Sequence, residues 1–274
     1  MSDLVLSCSH CGARSSCPDS VARTYAGRRV TRWCESCRQM FDVEFPPPNQ
    51  TLGGLLFGTP HPPLVSEREW TALVQAVAAG NEEALRTLYG RMHRIVYRFM
   101  VTTHKWQAAK ALTLDVFHDV WRRASTYSPE EASVVGWIMN LTRAASQSDE
   151  PVSRESRQVL DVLAELSREV PLWIESESDW QPVGSGLSYQ VLARDAERER
   201  VGMLVRLVPG ASYPPHTHAG LEELYLLEGE LLIDSKKVIP GDYHRAEARS
   251  SDQFVWSGTG CMCVLLTSTE DILR

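Results

Sequence analysis

A Cys-x2-Cys pair at Cys8 and Cys11 is answered by a second pair at Cys34 and Cys37, with 22 residues between them. Each pair can offer two thiolates to one cation, and four thiolates about 2.3 Å from zinc close a tetrahedral site. A closed site leaves no open coordination position, so this spacing implies a structural zinc and no catalysis. About 45 residues with so little apolar content would not fold without the ion. His10 and Cys17 are spare and are expected to be bystanders. Near the other end stands His216-Thr217-His218, followed four residues later by Glu222. Side chains alternate along a strand, so a His-x-His pair puts both imidazoles on one face. Glu222 can close on the same ion past a turn at Ala219-Gly220. Two imidazoles and a carboxylate suit divalent zinc, iron, manganese or nickel. The fourth ligand is open. His244, three residues past Gly241, is favoured; Asp252, eleven residues past it, is the alternative, and water is a third. Cys261 and Cys263, at i and i+2, share a strand face. Core packing is their expected role and redox sensing the sharper one.

These groups need elements to carry them. The chain has 274 residues, which suits two or three modest domains. The seven cysteines are an odd number, and Met1–Cys8 has neither a basic nor an apolar leader segment. Both features argue against a disulfide framework and point to the cytoplasm. No apolar run approaches the roughly 18 residues of a membrane span. Charge is uneven: residues 1–45 carry six cations against five anions, and residues 171–274 carry nine against sixteen. A mildly basic front and an acidic back could attract each other, and a small basic excess does not by itself give tight DNA binding.

The uncharged Pro- and Gly-rich stretch 46–64 reads as a tether. Over 65–147 the period is helical. Trp70, Leu73, Val74 and Val77 fall at i, i+3, i+4 and i+7, ending at Gly80. Asn81 suits the N-cap of a second helix carrying Leu85, Leu88, Met92, Val96 and Phe99. A third covers about 106–124, and Ser133 suits the cap of a fourth bearing Trp137, Ile138 and Leu141. Four such helices make a small bundle. Residues 148–171 hold an amphipathic stretch expected to bridge to the last domain. From 172 to 274 apolar runs shorten, β-branched residues rise and Gly or Pro punctuates them, as in an all-β barrel or jelly roll.

Three resemblances follow from these residues. Gly210, His216, His218, Glu222 and Gly229 match every fixed position of the first cupin motif, so the last domain resembles a metal-binding cupin. The doubled Glu222-Glu223, the Leu-Glu-Gly turn at 227–229, Pro240-Gly241-Asp242-Tyr243 and Trp256–Cys261 are similar to the ChrR-like cupins attached to anti-sigma factors. In that subgroup the barrel is a metal-holding sensor, with zinc the expected ion. The usual fourth His of cupins is missing at 252. Residues 1–45 resemble a short bacterial zinc ribbon, with Cys-x2-Cys-Gly-Ala at the front and Met40-Phe41 after the second pair.

The helical middle resembles region 2 of extracytoplasmic-function sigma-70 factors. The matching residues are Ala79–Leu85, Leu88-Tyr89, Ala108–Ala124, Tyr127-Ser128-Pro129 and Trp137-Ile138 with Leu141–Arg143. The resemblance implies contact with core RNA polymerase and with the −10 promoter element. Arg122, Arg123 and Arg143 would then face phosphates, and Trp137 would stack on a base unless its helical spacing makes it a core residue. Lys110, Ala111 and Leu114 depart from the family pattern, and no second DNA-binding domain follows. Together these readings describe a cytoplasmic, non-enzymatic, metal-responsive transcription regulator in which the cupin packs on the helical domain. A metal-dependent cupin enzyme of dioxygenase or isomerase type is the alternative.

Overall fold

A computed structural model describes residues 4–17, 21, 25, 28–44, 50–58, 64–148, 157–169, 180–183 and 186–274. The N-terminal module is two antiparallel hairpins. β1 (Leu4–Ser7) pairs with β2 (Arg14–Cys17), and β3 (Arg29–Cys34) pairs with β4 (Gln39–Glu44). Its small core holds Leu6, Cys8, Cys17, Cys34, Phe41 and Val43.

The stretch 46–64 is not a plain tether. Within it lie β5 (Gln50–Thr51) and α1 (Leu52–Phe57), and both belong to the barrel. The Thr51 hydroxyl accepts the Gly54 N–H and starts the helix. Leu52 and Leu56 bury themselves among barrel side chains. A composition rich in Pro and Gly hid a four-residue apolar set, Leu52, Leu55, Leu56 and Phe57, that the barrel needs.

The bundle follows the expected caps. α2 (Glu67–Ala78) opens with a capping box between Ser66 and Glu69, α3 (Glu82–Thr103) is capped by Asn81, and α5 (Val134–Ser146) by Ser133. α4 (Trp106–Arg123) has no side-chain cap bond. α6 (Arg157–Glu169) is more than a bridge: it packs on α3 and α4 and sinks Val159, Val162, Leu163 and Leu166 into the bundle core. That spacing is one helical stripe. No helix among the described residues is long and apolar enough to cross a membrane.

The C-terminal domain is a β-sandwich built from β6 (Gln181–Val183), β7 (Leu187–Asp195), β8 (Arg200–Leu207), β9 (Ser212–Tyr213), β10 (His216–Thr217), β11 (Glu222–Gly229), β12 (Leu231–Ile233), β13 (Lys236–Val238), β14 (Tyr243–Ala246), β15 (Ser251–Asp252), β16 (Val255–Trp256), β17 (Cys261–Ser268) and β18 (Ile272–Leu273). One sheet runs β14-β11-β17-β8-β7-β6, a second β15-β10-β18-β5 and a third β13-β12-β16-β9. The inner faces enclose one core, containing Met203, Val205, Leu224, Leu226, Cys261, Cys263 and Leu265. The outer face of the six-stranded sheet is covered by the helices. Leu204, Tyr225, Leu227, Met262, Val264 and Leu266 share a single core with α2 to α6. This explains why β17 is buried at every position: alternate residues serve two cores.

Polar bonds cross the same boundary. The Trp70 indole N–H donates to the Leu192 carbonyl at 3.1 Å, and the Tyr225 hydroxyl donates to Asn140 at 3.1 Å. Arg98 pairs with Glu228 at 3.1 Å, and the Arg143 guanidinium lies 4.8 Å from the centre of the Tyr243 ring.

Candidate metal centres

The four cysteines of the hairpin module meet. Their Sγ atoms all lie within 4.8 Å of one another, with Cys8 and Cys37 at 3.7 Å and Cys11 and Cys34 at 3.6 Å. Tetrahedral zinc with bonds of about 2.3 Å requires sulfur separations of about 3.8 Å, so the set fits that ion. Backbone turns shape each knuckle: the Gly12 N–H reaches the Cys8 carbonyl, and the Arg38 N–H the Cys34 carbonyl. The His10 amide donates to the Cys8 sulfur. The Cys37 amide, first among several influences, lowers the Cys34 thiol to about 7. Such amide bonds favour thiolates, the form a metal takes. Cys17 sits in the module's core outside the four-sulfur group, and the His10 ring faces the Met40 carbonyl at 3.1 Å.

In the barrel, His216, His218, Glu222 and Asp252 bring one ligand atom each within 4.8 Å of one another, and all four residues are buried. His216 Nε2 lies 3.8 Å from Glu222 and 4.0 Å from Asp252; His218 Nε2 lies 3.6 and 3.8 Å from the same carboxylates. Donors about 2.1 Å from one shared ion stand about 3.4 Å apart in a tetrahedron and somewhat further in an irregular site. The strands produce this meeting. β10 pairs with β15 so that His216 faces Asp252 directly, and the ladder continues through the His218 N–H to the Ser250 carbonyl at 3.0 Å. Glu222 opens β11, on the inward phase that Leu224 and Leu226 continue.

The second layer sets the tautomers. His216 Nδ1 is 3.0 Å from the Pro214 carbonyl, an acceptor only, so Nδ1 carries the proton and Nε2 the lone pair. His218 Nδ1 is 3.0 Å from the Ser250 hydroxyl, which itself donates to the Glu247 carbonyl at 2.6 Å. That hydroxyl oxygen therefore accepts from Nδ1, and Nε2 again keeps its lone pair. Both Nε2 atoms are buried and have no hydrogen-bond partner. Two buried lone pairs facing two carboxylates form a donor set suited to a divalent cation. Burial pushes the Glu222 carboxyl up, and the neighbouring His216 and His218 outweigh it and hold it well below the usual carboxylate range.

The two candidates for the fourth position sit differently, His244 keeping a buried Nε2 without a hydrogen-bond partner. Asp252 joins the group and His244 does not. His244 stands opposite Leu224 in the β11–β14 pair, with Nδ1 3.3 Å from Lys236 Nζ. Burial, then the Lys236 charge, push its pKa down. Cys263 lines the hollow beside His216, Glu222 and Asp252, and burial drives its thiol pKa well up. Cys261 is likewise raised to about 11 by burial. Both are protonated core residues, as packing requires.

The residues singled out for nucleic acid do not form one group. Arg122 and Arg123 end α4, each 3.7 Å from Asp119. Trp137 is half-buried against the bundle core beside Tyr127, ring centres 5.2 Å apart. Arg143 is turned to the barrel's Tyr243. Sequence reasoning did not single out Glu67, a buried carboxylate at the bundle–barrel boundary that accepts the Val134 N–H at 2.5 Å. Its only signal was an acidic residue in the first turn of α2.

One family model matches the barrel. Residues 172–269 match the ChrR Cupin-like domain family. An acetylacetone dioxygenase from Acinetobacter johnsonii is 15% identical over 35% of this chain and 71% of its own, with a TM-score of 0.33. An RmlC-like cupin from Shewanella frigidimarina is 23% identical over 33% and 82%, at 0.29. The polyketide cyclase RemF from Streptomyces resistomycificus is 20% identical over 33% and 71%, also at 0.29. No curated protein matches the chain. The family match places a ChrR-like cupin domain at residues 172–269, over the strands that carry His216, His218, Glu222 and Asp252.

Proposed function

We propose that this chain is a metal-responsive transcription regulator whose cupin barrel restrains a sigma region 2-like helical domain. The observation that carries the reading is the double use of β11. Its inner face presents Glu222 to the metal ligands. Its outer face presents Glu223, whose carboxylate accepts from the Tyr243 hydroxyl at 2.9 Å, and Tyr225, which reaches Asn140 on α5. A change in how Glu222 is held is one residue from the surface on which the helices rest. Arg143, a candidate phosphate contact, stacks on Tyr243 at that surface, so the closed form withholds it. Arg122 and Arg123 remain exposed and pair with Asp119. Zinc is the expected ion in both centres, held structurally by Cys8, Cys11, Cys34 and Cys37 and as the sensed or sensing group by His216, His218, Glu222 and Asp252.

The test compares metal-loaded and chelator-stripped full-length protein for binding to core RNA polymerase and to −10 promoter DNA. The stripped form should bind more tightly; equal binding by both forms would end the proposal. A useful switch of this kind needs a few kcal/mol of differential binding.

The rival reading, a cupin enzyme, needs space for a substrate. The apolar hollow beside the ligands, lined by Leu207, Leu231, Ile233, Val255 and Leu265, has a volume of about 20 Å³. That holds a single water-sized molecule.

A further inference from the structure

We infer that Gln50–Phe57, β5 and α1, is a brace for the barrel's metal ligands and sets how slowly the ion leaves; this rests on reading His216, His218, Glu222 and Asp252 as a metal site. Three connections run from the brace to those ligands. The first is the sheet. β5 pairs with β18 (Gln50 opposite Leu273, Thr51 opposite Ile272), β18 pairs with β10 (Leu273 opposite His216), and β10 pairs with β15 (His216 opposite Asp252). Without β5, the two-residue β18 would be an uncovered edge beside the strand of His216, and so short an edge holds weakly.

The second connection is Asp271, which is 1% exposed. Its carbonyl accepts the Leu52 N–H at 2.8 Å, and the neighbouring Thr269 carbonyl accepts the Gly53 N–H at 2.6 Å. Its carboxylate accepts the Ala219 N–H at 2.7 Å and the Thr267 hydroxyl. Ala219 sits in the turn between His218 and Glu222. Asp271 is thus held by the brace through its backbone and holds the ligand turn through its side chain. It is a positioning residue. The closeness is specific, because a Cβ on Gly53 would stand 3.0 Å from the Thr269 carbonyl oxygen.

The third connection is packing. Leu52 and Leu56 enter the barrel core beside Val205 and Tyr213, and the Tyr189 hydroxyl donates to the Leu56 carbonyl at 3.2 Å. The Tyr213 ring meets the His216 ring edge-on, centres 5.2 Å apart. Loosening α1 therefore loosens the wall behind a ligand.

The experiment measures zinc release from the full-length protein into an excess of a chromogenic chelator. Asp252→Ala identifies the barrel phase by removing it, and the ribbon phase serves as an internal standard. Asp271→Asn and Gly53→Val should speed the barrel phase about tenfold or more, the size seen when groups behind metal ligands are altered, and leave the ribbon phase unchanged. Thr51→Ala, which removes only the α1 cap and is the mildest change, should give a smaller increase in the same phase. If all three variants melt cooperatively and release barrel zinc at the wild-type rate, the brace is overturned while the metal site stands. If the wild type holds only the ribbon ion, the metal reading fails and the brace with it. If a variant is unfolded, the outcome rests on Thr51→Ala.

Discussion

Asp252→Ala takes one of two carboxylates from the barrel site. The remaining two imidazoles and Glu222 should no longer hold the ion through dialysis, and metal analysis would show the loss of one equivalent per chain. His244→Ala should leave that content unchanged, because its ring is engaged by Lys236 outside the group. Glu67 gives a second expectation. Burial pushes its carboxyl from the ordinary 4.5 to about 7, against the Val134 N–H bond and with Asp195 adding to the rise. The folded state therefore keeps a proton that the unfolded state loses. The contribution to stability is complete below pH 4.5 and falls as pH rises through about 7. Glu67→Gln keeps an acceptor for Val134 and cannot ionise. Relative to wild type it should gain up to about 3 kcal/mol between pH 4.5 and 8, read from melts at the two pH values; parallel changes in both proteins would contradict the assignment. Three of the four barrel residues that meet, and all four cysteines that meet, were legible from spacing alone. The fourth ligand was not, because Asp252 becomes a ligand only through its cross-strand pairing with His216, and pairing over 36 positions leaves no local mark.

Strand β11 and helix α5 carry the coupling between the two bodies. Glu223→Ala removes the acceptor of the Tyr243 hydroxyl and a charge 3.9 Å from Arg200. It should destabilise the helix–barrel contact by about 1–3 kcal/mol without lowering metal content, since Glu222 points the other way. Limited proteolysis together with metal analysis separates the two effects. Gly136 on α5 is a stricter case. A Cβ there would stand 2.9 Å from Leu266 Cδ1 and 3.2 Å from the Ser133 hydroxyl. Gly136→Val should cost about 1–3 kcal/mol from overpacking, seen as a lower melting temperature. Helix starts were readable because Asn81 and Ser133 are strong caps and each does accept the N–H three residues on. Two other elements were misjudged in role. The segment 50–57 looked like tether because it is uncharged and flanked on both sides by prolines, and α6 looked like a bridge because nothing in an isolated amphipathic stripe says which surface it covers.

At the scale of the molecule, the two candidate metal sites sit in separate cores. The ribbon's core is its own, while the barrel and helices share another. Cys8→Ser should therefore lose one equivalent of zinc and unfold the N-terminal module, leaving the main thermal transition in place; calorimetry with metal analysis checks both. The organisation of ribbon, helices and barrel was visible in composition and period. What was not visible is that the helices and the barrel do not stand apart. The outer face of the six-stranded sheet has no surface of its own, and its apolar residues complete the bundle.

The pairing of residues 50–51 with 272–273 also has a consequence for synthesis. The metal edge joins segments separated by more than two hundred positions, a contact of high order that forms late. On the ribosome the hairpin module and the bundle helices emerge first. The two histidines follow with no β18 beside them, and the edge closes only when Leu273 is free of the exit tunnel. An ion captured earlier sits in a half-built cradle. Firm retention of the barrel ion would then report that β18 has been made and paired, and refolding in the presence of zinc should show a late phase in which tight metal binding appears after most helix has formed.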